Sequence, residues 1–320
     1  MRRLWWSLLV AVVATGLLAG CFASDGEPWA EQLPDRITIA TGGTTGVYHA
    51  YGTSLAELLR DRYGVDAEVV TTAGSLENLE LVADGEAQVA FSAADAVGDA
   101  VAGTGDFVEP ADLRALARLY DDFGHLVVRA DSDVHEIADL RGRRVSLGAE
   151  DSGTALIAGR VLAAAEIDPR DLEVSQRGIT ESIHAMRTGR VDAFFWSGGL
   201  KTPGLVELAE EMPIRLIALD EVVDEMRDAY GHGYRHGVVP QGTYGVREPV
   251  QTLAVPNVLV VSGDLPDDVA YALVALLFAH QSELAADTAA VSYLDPHRAI
   301  YTAPAPLHDG AMRYYRDTKT

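Results

Sequence analysis

The chain has 320 residues, of which 48% are hydrophobic and 23% are charged, so it is long enough and apolar enough to fold around a sizeable core. Acidic residues outnumber basic ones by 48 to 25, and the formal net charge at pH 7 is -23. A surface that binds nucleic acid needs clustered positive charge, so this composition excludes nucleic acid as an expected partner.

Residues 1–20 have the pattern of a secretory signal, with two arginines, an apolar run that is short for a membrane span, and small residues at the end. Residues 18–21 read LAGC, which resembles a bacterial lipobox, in which the cysteine is lipidated and becomes the new N-terminus. Cys21 is the only cysteine, so no intramolecular disulfide is expected. The sequence predicts lipidation of Cys21, and an ordinary signal peptide with an incidental cysteine is the alternative.

Residues 21–35 are predicted to tether the lipid anchor to the fold. Residues 24–34 are polar, contain two prolines and carry Trp29, which we expect to be exposed. We expect this segment to have no structure of its own. The protein is therefore predicted to be extracytoplasmic and to stay on the outer face of the cell membrane through its lipid anchor only.

From residue 36 onward, short β-rich runs alternate with amphipathic helical runs, which is the pattern of an α/β fold with mostly parallel sheets. Strands are predicted at 36–40, 67–72, 89–91, 113–120, 125–129, 144–147, 172–175, 193–195, 214–218 and 254–261. Helices are predicted at 48–63, 75–84, 94–102, 153–164, 179–188, 204–211, 220–230, 267–282 and 287–290. His232 and His236 are four residues apart, but the glycines around them favour a mobile loop over a metal site.

Two parts of the chain repeat the same order of features about a hundred residues apart. Residues 74–91 and 178–195 both run from a glycine turn, through a helix that opens with a polar residue and Glu, to a second strand. The loop at 41–48 has a counterpart at 147–154, again between a strand and a helix. A repeat of this length has the size of a lobe, so the sequence predicts two similar lobes.

Two such lobes facing each other place strand ends and helix N-termini around one cleft, where α/β sheets usually bind ligands. The free N–H groups at a helix N-terminus favour an anionic guest. The predicted bounds are 36–122 plus 256–320 for lobe 1 and 123–255 for lobe 2. Extended crossings between the lobes are expected at 121–129 and 251–261.

Six motifs together resemble the TAXI group of TRAP-transporter solute receptors. They read TGGTTGVY at 41–48, TAGSLENL at 72–79, GEAQVAF at 85–91, SGT at 152–154, DAFF at 192–195 and LAVPN at 253–257. The resemblance implies a type II periplasmic-binding-protein fold whose two lobes close on a small organic acid, often an amino acid or a dicarboxylate such as glutamate. It also implies a TRAP membrane permease as the partner. Departures at 93–95 and 196–203 fall where ligand contacts are expected and leave the ligand open.

The candidate ligand-binding residues lie in loops and at strand ends of both lobes. Thr44 and Tyr48 are predicted to supply a hydroxyl and an aromatic wall, and Arg177 a bidentate grip on a carboxylate. The alternative for each loop is an ordinary capped helix start, and for Trp196 a buried packing role instead of a wall over the ligand. The full set is Gly43, Thr44, Gly46, Tyr48, Gly74, Ser75, Asn78, Ser92, Asp95, Ser152, Gly153, Thr154, Arg177, Trp196, Ser197, Gly198 and Tyr244.

Binding rather than turnover is the predicted activity, in a monomer without cofactor or metal. Two alternatives stay open at this point. In the first alternative, the protein is a ligand sensor that docks on a receptor kinase. In the second, it is a secreted enzyme that uses Asp95, Glu77 or Glu181 as an acid or base. The sequence has neither a Gly-x-Ser-x-Gly elbow nor a His-Glu-x-x-His motif, which argues against the commonest hydrolases.

Overall fold

The computed structural model describes residues 27–231 and 233–318 of the chain. The predicted signal peptide, the lipidation site at Cys21 and His232 lie outside these ranges. Within them, ten strands form one continuous sheet: β1 Arg36–Ala40, β2 Asp66–Val70, β3 Val89–Ala93, β4 Leu113–Arg129, β5 Arg144–Ser146, β6 Glu173–Ser175, β7 Ala193–Gly198, β8 Ile214–Ile217, β9 Arg235–Val239 and β10 Val250–Ser262. The helices are α1 Val47–Tyr63, α2 Ser75–Ala83, α3 Ala94–Ala102, α4 Gly153–Ala164, α5 Ile179–Arg187, α6 Pro203–Glu211, α7 Val223–Tyr230, α8 Asp267–Ala279, α9 Gln281–Asp287 and α10 Asp309–Asp317.

The sheet contains the same three-stranded arrangement twice. Strands β2, β1 and β3 run parallel at one end, and β6, β5 and β7 run parallel at the other, with the order 2-1-3 in both. Each triple alternates with its helices along the chain, as parallel strands require. The repeat in the sequence therefore corresponds to a repeat in the topology, and the protein is a two-lobed mixed α/β protein, as predicted.

The long strands β4 and β10 join the two parallel triples. They lie side by side and antiparallel, with β10 next to β3 in lobe 1 and β4 next to β7 in lobe 2. Near the crossing, Asp122 pairs with Val255 and Phe123 with Ala254. The two strands predicted at 113–120 and 125–129 are one strand, because the polar residues between them stay within the ladder.

Hydrophobic cores lie on both sides of the crossing strands. In lobe 1, helix α1 buries Tyr51, Leu55, Leu58 and Leu59, which recur at helical spacing along one face. The helix ends at Gly64, whose left-handed conformation lets its N–H bond to the last free carbonyls. Separate clusters in lobe 2 pack around its own sheet and helices. Each lobe therefore has its own support for the loops at its strand ends.

The described part of the predicted tether packs against lobe 1. Trp29 precedes a short 3-10 helix, Ala30–Gln32, and its ring centroid lies 5.4 Å from that of Tyr63. Trp29 and Leu33 are both half-buried against the core. The expectation that residues 24–34 lack structure is therefore wrong from residue 27 onward, because burying an indole ring stabilises a large apolar area.

Other differences lie near the ends of lobe 2 and of the chain. The segment predicted as a mobile loop contains β9, in which His236 faces Asp224 at 3.5 Å. Helix α10, which buries Tyr315 against lobe 1, was not predicted, and residues 289–293 form a 3-10 helix in place of a predicted α-helix. In the described ranges, no single helix is long and apolar enough to cross a membrane; α8 and α9 pass together by length and composition but meet at a 66° bend.

Candidate ligand-binding site

A cavity of about 340 Å³ lies between the lobes, where loops at the strand ends of both parallel triples face each other. This volume is at the lower end of the range for small-molecule sites, so it fits a small guest. Most of the predicted site residues line it: Gly43, Thr44, Gly46, Tyr48, Gly74, Ser75, Ser152, Gly153, Thr154, Arg177, Trp196, Ser197 and Gly198.

The two lobes touch each other around this cavity. The hydroxyls of Thr45 and Thr180 lie 3.1 Å apart, and the backbone N–H of Glu77 donates to the carbonyl of Asp151 at 3.2 Å. The Trp196 ring of lobe 2 lies against Gly46 of lobe 1, where an added Cβ would be 3.5 Å from the ring. The structure is therefore that of a closed form, with contacts from both lobes around the guest space.

Closure depends on a glycine at the start of α4. A Cβ added at Gly153 would lie 2.6 Å from the Ser75 hydroxyl oxygen of the other lobe, closer than real Cβ atoms come. Gly153→Ala is therefore expected to hold the lobes apart and to lower ligand affinity about tenfold, since overpacking costs roughly 1–3 kcal/mol. Isothermal titration measures the loss. Gly159→Ala is the matched control, because the same helix has open space there; equal affinities of the two variants would contradict the prediction.

Several predicted hydroxyls of the lobe 2 loop already have protein partners. Ser152 donates to the carbonyl of Ala149 at 2.7 Å and accepts from the N–H of Ala155 at 3.1 Å, which is the N-cap of α4. Thr154 accepts from the N–H of Ser197 at 3.2 Å. These side chains shape the cavity wall through their own bonds, so the capping alternative describes Ser152 well.

Arg177 is the one basic side chain among the cavity-lining residues of the described chain. It is half-buried, and its Nε donates to the Ser175 hydroxyl at 3.2 Å, which leaves both Nη groups for a guest. It precedes Gly178, the N-cap of α5, where no side chain caps the helix. A guanidinium beside open helix N–H groups is a suitable place for a carboxylate.

Four predicted residues do not line the cavity, and their side chains have structural roles. Asn78 donates to the carbonyls of Thr41 and Phe91 and accepts from Thr72, so it holds strand ends together. Ser92 is fully buried and donates to the carbonyl of Ala93. The prediction of ligand contact is corrected for these two, because their side chains are buried and already hydrogen-bonded within the protein.

The other two lie behind the cavity wall. Asp95 accepts from Tyr234 at 2.5 Å and lies 3.4 Å from Arg160, both in lobe 2. The hydroxyl of Tyr244 accepts from the N–H of Thr202 at 3.0 Å. The prediction of ligand contact is therefore also corrected for these two residues. Asp95 makes a contact between the lobes, and Tyr244 makes one within lobe 2. The carboxylate of Glu77 accepts from the N–H of Ala73, so this candidate acid or base of the enzyme alternative is engaged at the start of α2.

The structure brings to the cavity two residues that sequence reasoning missed, Tyr120 and Asp122. Their side chains lie two residues apart on β4 and so on the same face of the strand. Both are buried, at 3% and 4% exposure, and both keep a polar atom, Tyr120 Oη and Asp122 Oδ1, without a hydrogen-bond partner among the described residues. Tyr120 ends the strand predicted at 113–120 and Asp122 lies in the extended crossing predicted at 121–129, so their alternate spacing was the available signal.

Burial raises the pKa of Asp122 to about 8, and the nearby carboxyls of Asp121 and Asp95 add to the rise. Asn257 and Ser197 lie beside this carboxyl and favour its charged form, which partly opposes the rise. Tyr48 donates to Asn257 Oδ1, so the amide nitrogen of Asn257 is the part left for Asp122. A buried carboxyl in a cavity is typical of a functional site.

Residues 39–318 match the NMT1-like family. This range includes both lobes and the crossing strands. The chain belongs to the NMT1-like family. This match does not single out the TAXI group, so that finer assignment of the NMT1-like chain stays a prediction.

Solved structures with the same fold are distant in sequence. A protein from Bordetella bronchiseptica RB50 is 16% identical with a TM-score of 0.57, over 89% of this chain and 98% of the other. The binding protein component of an ABC phosphonate transporter from Pseudomonas aeruginosa is 12% identical with a TM-score of 0.53, over 79% and 78%. An ancestral arginine-binding protein bound to arginine is 12% identical with a TM-score of 0.51, over 80% and 99%. The NMT1-like chain therefore has the fold of two-lobed solute-binding proteins.

Proposed function

We propose that this NMT1-like protein is an extracytoplasmic solute-binding protein that captures a small organic acid between its lobes and delivers it to a membrane transporter. The cavity between the lobes, with Arg177 in its lining, carries the proposal. A small volume between two lobes, a guanidinium with free donors and open helix N–H groups form a site for a carboxylate rather than for a large or apolar molecule.

Binding without turnover is the activity that this arrangement supports best. Of the three acids named for the enzyme alternative, only Glu181 lines the cavity, near Gly178 at the start of α5. The Asp95 and Glu77 carboxylates are engaged in bonds within the protein and lie outside the lining. The lobe contacts around the cavity support closure by hinge motion at the crossing strands, which is how such a fold holds its ligand. We therefore rank capture and release above an enzyme on the same fold.

Two transporter types are compatible with this function. The motifs at 41–48 and 72–79 resemble the TAXI group and favour a TRAP permease, whereas one of the solved proteins of this fold is named as part of an ABC transporter. We propose the TRAP type, with glutamate, another amino acid or a dicarboxylate as the solute class. Recovery of ABC subunits in place of TRAP subunits, when the protein is cross-linked in its native membrane, would overturn that choice.

We also propose that cleavage after residue 20 and lipidation of Cys21 anchor the protein to the outer face of the cell membrane. The packed segment around Trp29 leaves only a few residues between the anchor and the fold. Such a short connection supports a protein held close to its transporter. Mass spectrometry of the mature N-terminus tests this, and an unmodified Cys21 would overturn it.

The test of binding uses a panel of amino acids and dicarboxylates titrated into the purified protein, with tryptophan fluorescence and melting temperature as readouts. Trp196 is half-buried at the cavity, so a bound guest is expected to change its emission. A ligand at a hundred times its Kd is expected to stabilise the fold by about 2.7 kcal/mol. No response to any organic acid would overturn the proposed function.

Arg177→Gln is expected to weaken binding of the responding acid at least tenfold, because it removes a charge-assisted contact with the carboxylate. Arg190→Gln is a matched control. Arg190 also donates its Nε to a hydroxyl two residues earlier, Thr188 at 3.0 Å, but it is exposed and does not line the cavity. Isothermal titration of both variants decides the point, and equal Kd values would show that Arg177 does not hold the carboxylate.

A further inference from the structure

We propose that Asp122 receives a positively charged ammonium group of the ligand, so that the solute is an amino acid and not a dicarboxylate that lacks an amino group. This inference rests on the proposed function, and it names the group that selects among the organic acids. Its basis is a buried carboxyl that faces the cavity at the point where the lobes cross.

Asp122 lies on β4 where this strand passes from one lobe to the other. It is 4% exposed, it lines the cavity, and its Oδ1 has no hydrogen-bond partner among the described residues. Tyr120, on the same face of the strand, is also buried and also lines the cavity. Its hydroxyl likewise has no hydrogen-bond partner among the described residues. Buried polar groups are normally satisfied, so a pair left open at a cavity indicates bonds to a guest.

The charges around Asp122 are unfavourable to its ionised form in the empty cavity. Asp121 and Asp95 are the charged groups that act on it, and both are acidic. Arg177, the basic lining residue, lies in the loop between β6 and α5 and is not among the groups that shift the pKa of Asp122. Removing a carboxylate from water without a counter-charge costs several kcal/mol, and a ligand ammonium would supply that counter-charge.

The neighbours of the carboxyl suit an ammonium better than a metal ion. The side-chain oxygen of Asn257 accepts a hydrogen bond from the Tyr48 hydroxyl, so the amide nitrogen of Asn257 is the atom that faces Asp122. A hard metal ion needs several oxygen ligands, and an amide nitrogen is not one of them. An ammonium has three donors, which can be shared between the free Asp122 oxygen and the hydroxyls of Tyr120 and Ser197.

Two different residues of the cavity lining then recognise the two charges of one small molecule. Arg177 and the start of α5 take the carboxylate, and Asp122 takes the ammonium. An ammonium takes the place of the proton that Asp122 holds in the empty cavity and releases it to water, because a positive charge beside a carboxyl lowers its pKa. A dicarboxylate would bind only while Asp122 keeps that proton, and its second negative charge would add to those of Asp121 and Asp95. Specificity therefore arises from the penalty against the wrong group as much as from the contact with the right one.

Paired compounds that differ only in the ammonium test this directly. L-glutamate is compared with glutarate, and L-alanine with propionate, by isothermal titration of wild type, Asp122→Asn and Asp121→Asn in buffers with and without Na⁺ and Ca²⁺. We expect binding by an amino-bearing member only, at least tenfold weaker in Asp122→Asn. Asp121→Asn is the control, because Asp121 lies next on the strand but outside the cavity lining and is ion-paired to Arg118 and Arg235; it should bind within threefold of wild type.

Each other outcome overturns a different statement. If glutarate or propionate binds wild type and Asp122→Asn binds it as well or better, the inference fails while the proposed function stands. If these acids bind only when Na⁺ or Ca²⁺ is present, the counter-charge is an ion, and the inference fails as well. If no organic acid in the wider panel binds, the proposed function itself fails. A melting curve of Asp122→Asn shows that the variant is folded.

Discussion

Replacing Asp122 by Asn is expected to stabilise the ligand-free protein at pH 8 by roughly 5 kcal/mol while leaving its stability at pH 4 nearly unchanged. Burial raises the pKa of Asp122 to about 8, whereas an aspartate in the unfolded chain titrates near about 3.9. Between these values the folded state holds the proton more tightly than the unfolded state. The contribution of Asp122 to stability therefore falls as pH rises from about 4 towards 8.

An asparagine at this position has nearly the same shape and no proton to lose. The variant therefore does not lose stability at this site as the pH rises. Other groups titrate in both proteins and cancel in the difference between them, which isolates Asp122. Urea unfolding at pH 4.5, 6, 7 and 8 without ligand measures this difference, and the matching rise in melting temperature at pH 8 is on the order of ten degrees.

The sign of the effect is the decisive observation. A carboxylate stabilised by its surroundings would give the opposite trend, with Asp122→Asn increasingly less stable than wild type as pH rises. That result would show a counter-charge already present in the empty cavity. Asp121→Asn serves as the control, because Asp121 is paired with two arginines at 2.7 Å and its loss should not stabilise the protein at any pH.

The fold was largely predictable because its two halves repeat in the sequence. Glycine turns and alternating strand and helix patterns marked both parallel triples, and these patterns depend on local preference and on burial of one face. Strand β9 was missed because its five residues include a charged residue, a histidine and a glycine and show no clear alternation. Helix α10 was overlooked although it has a clear amphipathic pattern, with Ala311 and Tyr315 on its buried face. Tyr315 on α10 is buried only because lobe 1 offers a surface for it.

The loops of the candidate site were predictable from the sequence, and the part formed by strand β4 was less so. Glycine and hydroxyl-rich turns such as 41–48 are visible in the sequence, and they do line the cavity. Asn78 and Asp95 have the same residue types but are consumed by bonds to distant parts of the chain. Asp122 was missed because its role depends on the strand crossing, where burial and the absence of a partner come from tertiary structure alone.

Replacing Arg160 by Met is expected to destabilise the protein by about 3–5 kcal/mol, the usual cost of leaving a buried charge without its partner. Arg160 on α4 of lobe 2 bonds to Asp99 at 2.5 Å and lies 3.4 Å from Asp95, both on α3 of lobe 1. The Arg160 side chain is 9% exposed and that of Asp95 is 1% exposed. Tyr234 completes the group, since Arg160 donates to its hydroxyl at 3.0 Å.

The midpoint of urea unfolding at pH 7 measures this loss. Arg144→Met is the control, because Arg144 makes a comparable ion pair with Asp192 that is 43% and 30% exposed. Exposed ion pairs contribute about 0–1 kcal/mol, so the control should lie near wild type. If Arg160→Met matched Arg144→Met, the pair between the lobes would contribute no more than a surface pair.

A second substitution separates the charge from the hydrogen bonds. In Arg160→Met, Asp95 is left buried with the Tyr234 hydroxyl and no counter-charge, and burial already raises its pKa in the intact protein. Its pKa must rise further without Arg160, so the loss of stability should grow from pH 5 to pH 8. Adding Asp95→Asn removes the charge and should recover most of the loss at pH 8. Recovery that is equal at both pH values would mean that lost packing of the arginine, and not the unpaired carboxylate, causes the destabilisation.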